Sequence, residues 1–574
     1  MRALLLAVAA FLCVSGKALT VNRLNGSASV VYIDFNIPGP VLPLELARTY
    51  NSITATSEQK GWLGAFGWGW TSPFETTLTT TPDRNVLLRD GMSGNTVLFR
   101  PENEDPKVMT QFLETLKRAY FEQEKHRTFS KEEMAKLALP ERIVSQLKKD
   151  PDFRAELAAK YKIETDIPTG QMLISSEYGY QTIHQKNKQW IRQRDGMTQI
   201  FDNEGRLVKQ IDKNGFAFVY SYSSTQKYQL EQINDLNKSM SLKFKWRADH
   251  IVEVMDNKGN KTSYAYDGTG NLIQATDSNH QTYKYVYANK KFPHLLSRIE
   301  YTTESKLGAP VFREIRYDDN ALVVYHREKD GAETNFTYGK ISRDPENNFW
   351  TKSVRTFAGT KEDTYDEYLI KNRPDGTKYL FRQENKQGPT TTITVYTACC
   401  GKPLEVTKNG VATSYKYYPN GLLKERVGPK EDVKIEYDPK WKKVSRVSQN
   451  GVVSEYSYDG NGNLVRAKNS RNESVSLKYD KLGRILEMVD ASKRPITFKY
   501  GDLGKPVLIS QAGVGAIRIA YDPQGRIRNA ETVPMPGGRS PSKDDSKDVV
   551  RRVMIGFQSL LDIIRPAGIG MNLG

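Results

Sequence analysis

Tyrosines recur in this sequence at a fixed interval. Tyr437, Tyr458, Tyr479, Tyr500 and Tyr521 stand 21 residues apart; Phe201 to Tyr222 and Tyr266 to Tyr287 repeat the interval, and Trp246 to Tyr266 is 20. A period of this size means one small unit used many times, each too small to bury its apolar face alone.

Apolar and aromatic residues alternate at period two before each key tyrosine: Phe216, Phe218, Tyr220, Tyr222; Tyr283, Tyr285, Tyr287; Ile517, Ile519, Tyr521. Alternation of this kind turns one face of a strand inward. Asp-x-x-Gly follows, as in Asp202–Gly205, Asp267–Gly270, Asp459–Gly462, Asp480–Gly483 and Asp522–Gly525. The aspartate accepts backbone N–H bonds and the glycine takes the positive φ that closes the turn. A second strand restarts at once, as at Asn271-Leu272-Ile273, and a second turn ends the unit, as at Asn450-Gly451. One unit is one β-hairpin, and hairpins in series pair edge to edge into a long twisted sheet.

Tyr266-Asp267-Gly268-Thr269-Gly270-Asn271-Leu272, Tyr458-Asp459-Gly460-Asn461-Gly462-Asn463-Leu464 and Tyr479-Asp480-Lys481-Leu482-Gly483-Arg484-Ile485 resemble the YD repeats of the Rhs family, which build Rhs, teneurin and Tc-toxin shells. The resemblance covers roughly residues 195–530. Tyr317-Asp318-Asp319-Asn320 lacks the glycine, and Tyr437-Asp438-Pro439-Lys440 runs on into Trp441 and Lys442. Leu42-Pro43-Leu44-Glu45, Arg48-Thr49-Tyr50-Asn51-Ser52, Gly61-Trp62-Leu63-Gly64 and Gly67-Trp68-Gly69-Trp70 resemble the small β domain that precedes the repeats in bacterial Rhs proteins. Trp62, Trp68 and Trp70 are read first as the core of a cap and, as the weaker alternative, as a glycan platform. Toxin-carrying relatives end their shell with Asp-Pro-x-Gly-Leu and cleave themselves there. Arg565-Pro566-Ala567-Gly568-Ile569 has Arg in place of that Asp, so neither self-cleavage nor a built-in toxin is expected.

The organisation expected is therefore mostly β: a signal peptide over 1–18, an N-terminal β cap over 19–101, a helical insertion over 102–165, and a curved YD-repeat hairpin array over 166–533. A flexible linker over 534–548 and an amphipathic tail over 549–574 complete it. In the insertion Val108, Met109, Phe112, Leu113, Leu116 and Tyr120 recur at helical spacing, and Ser130-Lys131-Glu132-Glu133 is a capping box for a second helix. A third helix starts near Pro140 and a fourth at Asp150-Pro151. In the tail Val549, Val550, Val553, Met554, Phe557, Leu560, Leu561 and Ile564 form one apolar stripe, expected to dock on the protein's own shell or on a partner. Whether the array closes into a full shell stays open.

Arg2, the apolar run Ala3–Val14 and the small residues Gly16 and Ala18 have the layout of a secretory signal cleaved after Ala18, with no transmembrane span following. The protein is expected in the periplasm, on the cell surface or outside the cell. Beyond Cys13 in the signal, only the adjacent Cys399 and Cys400 remain, read either as two packed thiols or as a vicinal disulfide.

Net charge is +17, which would suit a polyanion such as an anionic glycan, yet the 84 Lys and Arg are dispersed with no dedicated basic arm, and they are read first as strand-edge charges that block aggregation; nucleic acid is not expected as a partner. The six histidines have no metal-helix spacing, and no P-loop, Gly-x-Ser-x-Gly or zincin motif occurs. No catalytic residue, metal site or cofactor is assigned. The function expected is that of an exported, non-enzymatic binding or scaffold protein, its partner an unidentified protein or an anionic glycan. The alternative is a shell component of an Rhs-type toxin system without its own toxin domain. A glycan-active enzyme hidden in the loops ranks third.

Overall fold

The computed structural model describes residues 19–56, 63–81, 84–102, 106–124, 140–149, 151–163, 167–175, 177, 179–226, 228–302, 311–373, 378–490, 495–523, 525–533, 550–553 and 555. The signal segment, the capping box at Ser130 and most of the tail lie outside these residues.

A four-stranded sheet forms from Thr20–Asn22, Ser27–Ile37, Leu44–Asn51 and Trp70–Thr71. From Thr77–Thr80 to Ile527–Val533 the chain then builds one long open curved sheet of 36 strands. Neighbours in this sheet are antiparallel and consecutive, as hairpin repeats require. The span 19–101 read as the cap thus contributes both the small sheet and the first three strands of the long one. The helical insertion leaves and re-enters that sheet at one place, since Leu173 pairs with Pro101 and Ile174 with Arg100. Its helices Pro106–Glu124, Pro140–Lys149 and Pro151–Lys160 close on their own small core, which includes Phe112, Leu116, Ile143, Leu147 and Leu157.

Each unit is locked by the chemistry of its motif. In one turn the Asp459 carboxylate accepts from the amides of Asn461 (2.9 Å) and Asn463 (2.8 Å), while Gly462 takes φ +78°. Burial would raise Asp459, but hydrogen bonds from the Asn463 side chain and from the amides of Asn463 and Asn461 outweigh it and hold the group below its ordinary value. The pairing register shifts just before the key tyrosine, between Ser457 and Tyr458, and the same bulge recurs at Tyr266, Tyr479, Tyr500 and Tyr521.

The tyrosine hydroxyl explains why the repeat keeps Tyr where Phe would fill the space. Tyr458 donates to the carbonyl of Val444 (2.6 Å), Tyr479 to Leu464 (2.7 Å) and Tyr500 to Ile485 (2.8 Å), each acceptor beginning the return strand one hairpin back. Trp246 makes the equivalent bond through Nε1 to Leu230 (2.7 Å). The degenerate turns survive by placing Ala321 (φ +64°) and Lys442 (φ +52°) where glycine usually stands.

The main core lies between the small N-terminal sheet and the concave face of strands from 217 to 338, where Val30, Tyr32, Leu46, Tyr50 and Trp70 meet Leu242, Tyr264, Leu272, Tyr285, Ile299 and Val323. Arg48 and Asp34 are buried at its centre, 0% and 1% exposed, with Arg48 Nη2 3.0 Å from Asp34 Oδ1. Tyr264 donates to Asp34 (2.7 Å), Arg48 donates to the Tyr285 hydroxyl (3.2 Å), and the guanidinium carbon sits 4.9 Å from the Trp70 ring. A second core runs from Val433 to Ile496. The sheet curls far enough that Asn463 Nδ2 donates to Asn214 Oδ1 at 3.1 Å, a contact spanning 249 residues. Val553, in the first turn of the tail, is 2% exposed beside Ile517 and Ile519.

Candidate functional site

Pairing register carries the identity of the inward face from strand to strand, because residues directly opposite share a face. Tyr264, Ala275, Tyr283 and Tyr301 form one such row, and all four are buried. Following the same rule past residue 340 changes the chemistry. Phe336 faces Ser353, then Thr364, Gln387 and Thr390; Tyr338 faces Thr351, then Asp366, Asn385, Thr392 and Lys408. From 378 to 428 no apolar side chain is fully buried among the described residues. Burial resumes with Val433, whose partner Arg426 ends the polar stretch. The inner surface is thus an apolar wall, a polar wall and a second apolar wall in succession.

The N-terminal sheet reaches the start of the polar wall. Arg23 Nε lies 2.8 Å from the fully buried Asp366, and the Arg23 carbonyl accepts from Thr351 (2.7 Å). Asp366 Oδ1 also accepts from Gln383 (2.9 Å) and Asn385 (2.8 Å), and Gln383 in turn accepts from the Tyr396 hydroxyl (3.1 Å). One carboxylate oxygen, Oδ1, thus fixes two amides, while Oδ2 pairs in charge with the guanidinium and has no hydrogen-bond partner among the described residues. Beside this clamp is a cavity of about 610 Å³ bounded by Val21–Leu24 on one side and by His326, Thr334, Phe336, Ser353, Arg355, Glu362, Thr364 and Tyr368 on the other. Burial lowers the His326 pKa, with Glu328 opposing and Arg313 and Arg355 adding to the effect, so the imidazole there is neutral near pH 7. Burial raises the Tyr368 phenol.

The residues singled out in the sequence are dispersed. Trp70 is 0% exposed, with Nε1 3.1 Å from the Tyr287 hydroxyl. The glycan-platform reading of Trp70 is corrected on this point: its ring is covered by the cap core and offers no face to a sugar. Trp68 stacks on His294 with ring centroids 4.5 Å apart and donates to the Thr269 carbonyl (3.0 Å). Trp62 lies outside the described residues. Cys399 and Cys400 occupy the turn after strand Thr390–Tyr396, their sulfurs in contact, with Cys400 Sγ 3.4 Å from Thr397 Oγ1. None of these residues lines the cavity. Sequence reading missed the polar wall, whose one advance signal is Thr, Gln and Asn at alternate positions of Lys378–Gln387 and Thr390–Tyr396 where other units place apolar residues.

Three family models match the sequence: a domain of unknown function (DUF6531) over residues 20–99, the RHS repeat over 246–282 and the teneurin YD-shell over 390–527. No curated protein matches. Among solved structures, TcdB2-TccC3 without its hypervariable C-terminal region is 11% identical with a TM-score of 0.38, covering 88% of this chain and 30% of that one. The Tc holotoxin pore of Photorhabdus luminescens is 11% identical with a TM-score of 0.36, covering 89% and 31%. A porin-like protein from Bacteroides uniformis is 8% identical with a TM-score of 0.13, covering 54% and 91%. The chain spans about 30% of the length of the toxin chains it matches.

Proposed function

The chain is an Rhs/YD-repeat protein of the shell-building kind, and from that premise we propose that it is an exported, non-enzymatic module that holds a partner against its polar inner wall. One observation carries this reading. The N-terminal sheet fills the concave face from 217 to 338, whereas the face from 378 to 428 presents Gln383, Asn385, Thr390, Thr392, Thr394 and Lys408 with no apolar plug among the described residues. A partly exposed, hydrogen-bonding inner surface suits a polar partner and contributes little to the protein's own core.

Export is supported by the signal layout and by the place of Leu19. Its backbone nitrogen donates to Glu328 Oε1 (3.0 Å), and Glu328 also accepts from Arg313 (2.7 Å). Cleavage after Ala18 turns that nitrogen into an α-ammonium already facing a carboxylate, a charge-assisted bond. In an oxidising compartment Cys399 and Cys400 close into a vicinal disulfide. The packing of Val550 and Val553 beside Ile517 and Ile519 supports docking of the tail stripe on this protein's own sheet.

Two experiments test the proposal. N-terminal sequencing of the cell-free or periplasmic protein is expected to start at Leu19; an intact Met1 confined to the cytosol contradicts it. A photo-crosslinking residue at Thr392, on the inner wall, is expected to capture one recurrent partner in the native host, and the same probe at Lys478, exposed on the outer face, is expected not to. Equal capture at both positions contradicts a binding role for the wall.

A further inference from the structure

We propose that the cavity between Val21–Leu24 and the start of the polar wall is a binding site for a neutral oligosaccharide, an assignment that rests on the chain being a binding module. Polar groups collect there. Thr334, Ser353 and Thr364 are 7%, 6% and 8% exposed and line the cavity, which places three hydroxyl side chains on its wall. His326 Nδ1, also on the lining, is buried and has no hydrogen-bond partner among the described residues. Buried donors and acceptors in native proteins are paired, so this imidazole nitrogen, with three hydroxyl side chains around the same space, calls for a partner from outside the chain.

The charges present define the chemistry of that partner. Arg23 is paired with Asp366 at 2.8 Å and Arg355 with Glu362 at 3.8 Å, so the charged pairs on the lining cancel. A charged ligand entering the space would lose its hydration without gaining a free counter-charge. Hydroxyls and a neutral imidazole, each able to donate and accept, match the hydroxyls of a sugar. Phe336 and Tyr368 supply apolar surface for the C–H face of a ring. The cavity volume of about 610 Å³ falls in the range of pre-formed small-molecule sites. A peptide is less well served. The wall strands Val323–Arg327, Glu333–Lys340, Asn348–Phe357, Thr360–Asn372 and Lys378–Gln387 are each paired on both sides, which leaves no free edge there for an added strand.

The test applies the full mature chain to an array of neutral gluco-, galacto- and manno-oligosaccharides printed beside sulfated and uronic-acid ones. The strongest neutral binder is then titrated by calorimetry. Binding to neutral members is expected, with affinity lowered at least tenfold by Ser353→Phe, which fills the space, and by Thr364→Val, which removes one hydroxyl at nearly constant volume. Lys478→Ala, on the outer face, is expected to leave affinity unchanged. Thr364→Val keeps the test valid if Ser353→Phe fails to fold. Absence of any neutral binder, binding confined to acidic glycans, or unchanged affinity in folded Ser353→Phe overturns the proposal. Continued cross-linking of a partner through Thr392 under any of those outcomes removes the saccharide assignment alone and leaves the binding role standing.

Discussion

The sheet at 217–338 and the sheet at 378–428 are built from the same hairpin and differ in what faces inward. Both keep the bulge before the tyrosine and the hydroxyl-to-carbonyl bond, as Tyr266 to Ile251 (2.6 Å) and Tyr417 to Pro403 (2.6 Å) show. In the first region the inward rows are aromatic and aliphatic and the N-terminal sheet lies on them. In the second the rows are mostly Thr, Gln, Asn and Lys, with Val406 opposite Thr394. The repeat therefore supplies a self-consistent backbone without requiring a core on its inner face. Local hydrogen bonds hold the hairpins, and the inward residues are released for other work.

The largest effect that sharpens this comparison is expected at Arg48. Arg48→Met leaves Asp34 buried without its cation, at a cost of about 3–5 kcal/mol. Lys386→Ala removes an exposed partner of Glu384 from the polar region, with no resolvable change in stability expected. Denaturant melts of both variants measure the contrast, and equal losses break it.

Turn geometry comes next, because it serves both regions alike. Gly462→Val puts a β-branched residue at φ +78°, with its Cβ 3.0 Å from the Trp441 ring. A loss of about 1–3 kcal/mol is expected, read from the thermal midpoint; an unchanged melt contradicts the turn assignment.

The hydroxyl bond separates the regions again. Tyr266→Phe strands the carbonyl of Ile251, a residue 0% exposed, and is expected to cost about 1–3 kcal/mol. Tyr417→Phe frees the carbonyl of Pro403, where water has access, and is expected to cost about 0.5–1 kcal/mol. A larger loss at Tyr417 reverses the ranking of the two regions.

The smallest effect is a pH dependence confined to the capped side. Burial raises Glu75 to about 7, against bonds from the amides of Ala65 and Ser72 and the charge of Arg89. The fold prefers the protonated acid, so this contribution is complete below the ordinary value of 4.5 and is lost as pH rises through about 7. Glu75→Gln is expected to flatten that decline. An unchanged slope between pH 5 and 8 contradicts it.

Much of the architecture was legible in the sequence because the repeat is local. The alternation before Tyr479, the turn Asp480–Gly483 and the return at Ile485 are each encoded within a few residues, and strand Ser474–Tyr479 and its partner Ile485–Asp490 follow them. The apolar spacing from Val108 to Tyr120 and the helix starts near Pro140 and at Pro151 were readable for the same reason. What depends on distant partners was not. Arg48 meets Tyr285 across 237 residues, and although Trp70 reads as part of a cap core, nothing around Gly67-Trp68-Gly69-Trp70 reveals that Arg48 and Tyr285 are the side chains that pack on it. The polar wall was hidden because strands such as Lys378–Gln387 carry polar residues at both parities. Only the pairing register, counted out from Phe336, decides that Gln383, Asn385 and Gln387 point inward.

The central claim is that the N-terminal sheet supports one stretch of a uniform array and leaves another without a core. Amide hydrogen exchange on the folded, full-length mature chain tests it most directly. The account predicts protection approaching the global unfolding limit in strands Lys261–Tyr266, Thr282–Val286 and Arg298–Tyr301. It predicts markedly faster, sub-global opening in Lys378–Gln387, Thr390–Tyr396 and Val411–Tyr417, although their backbone ladders are as complete. Equal protection in the two sets would contradict it.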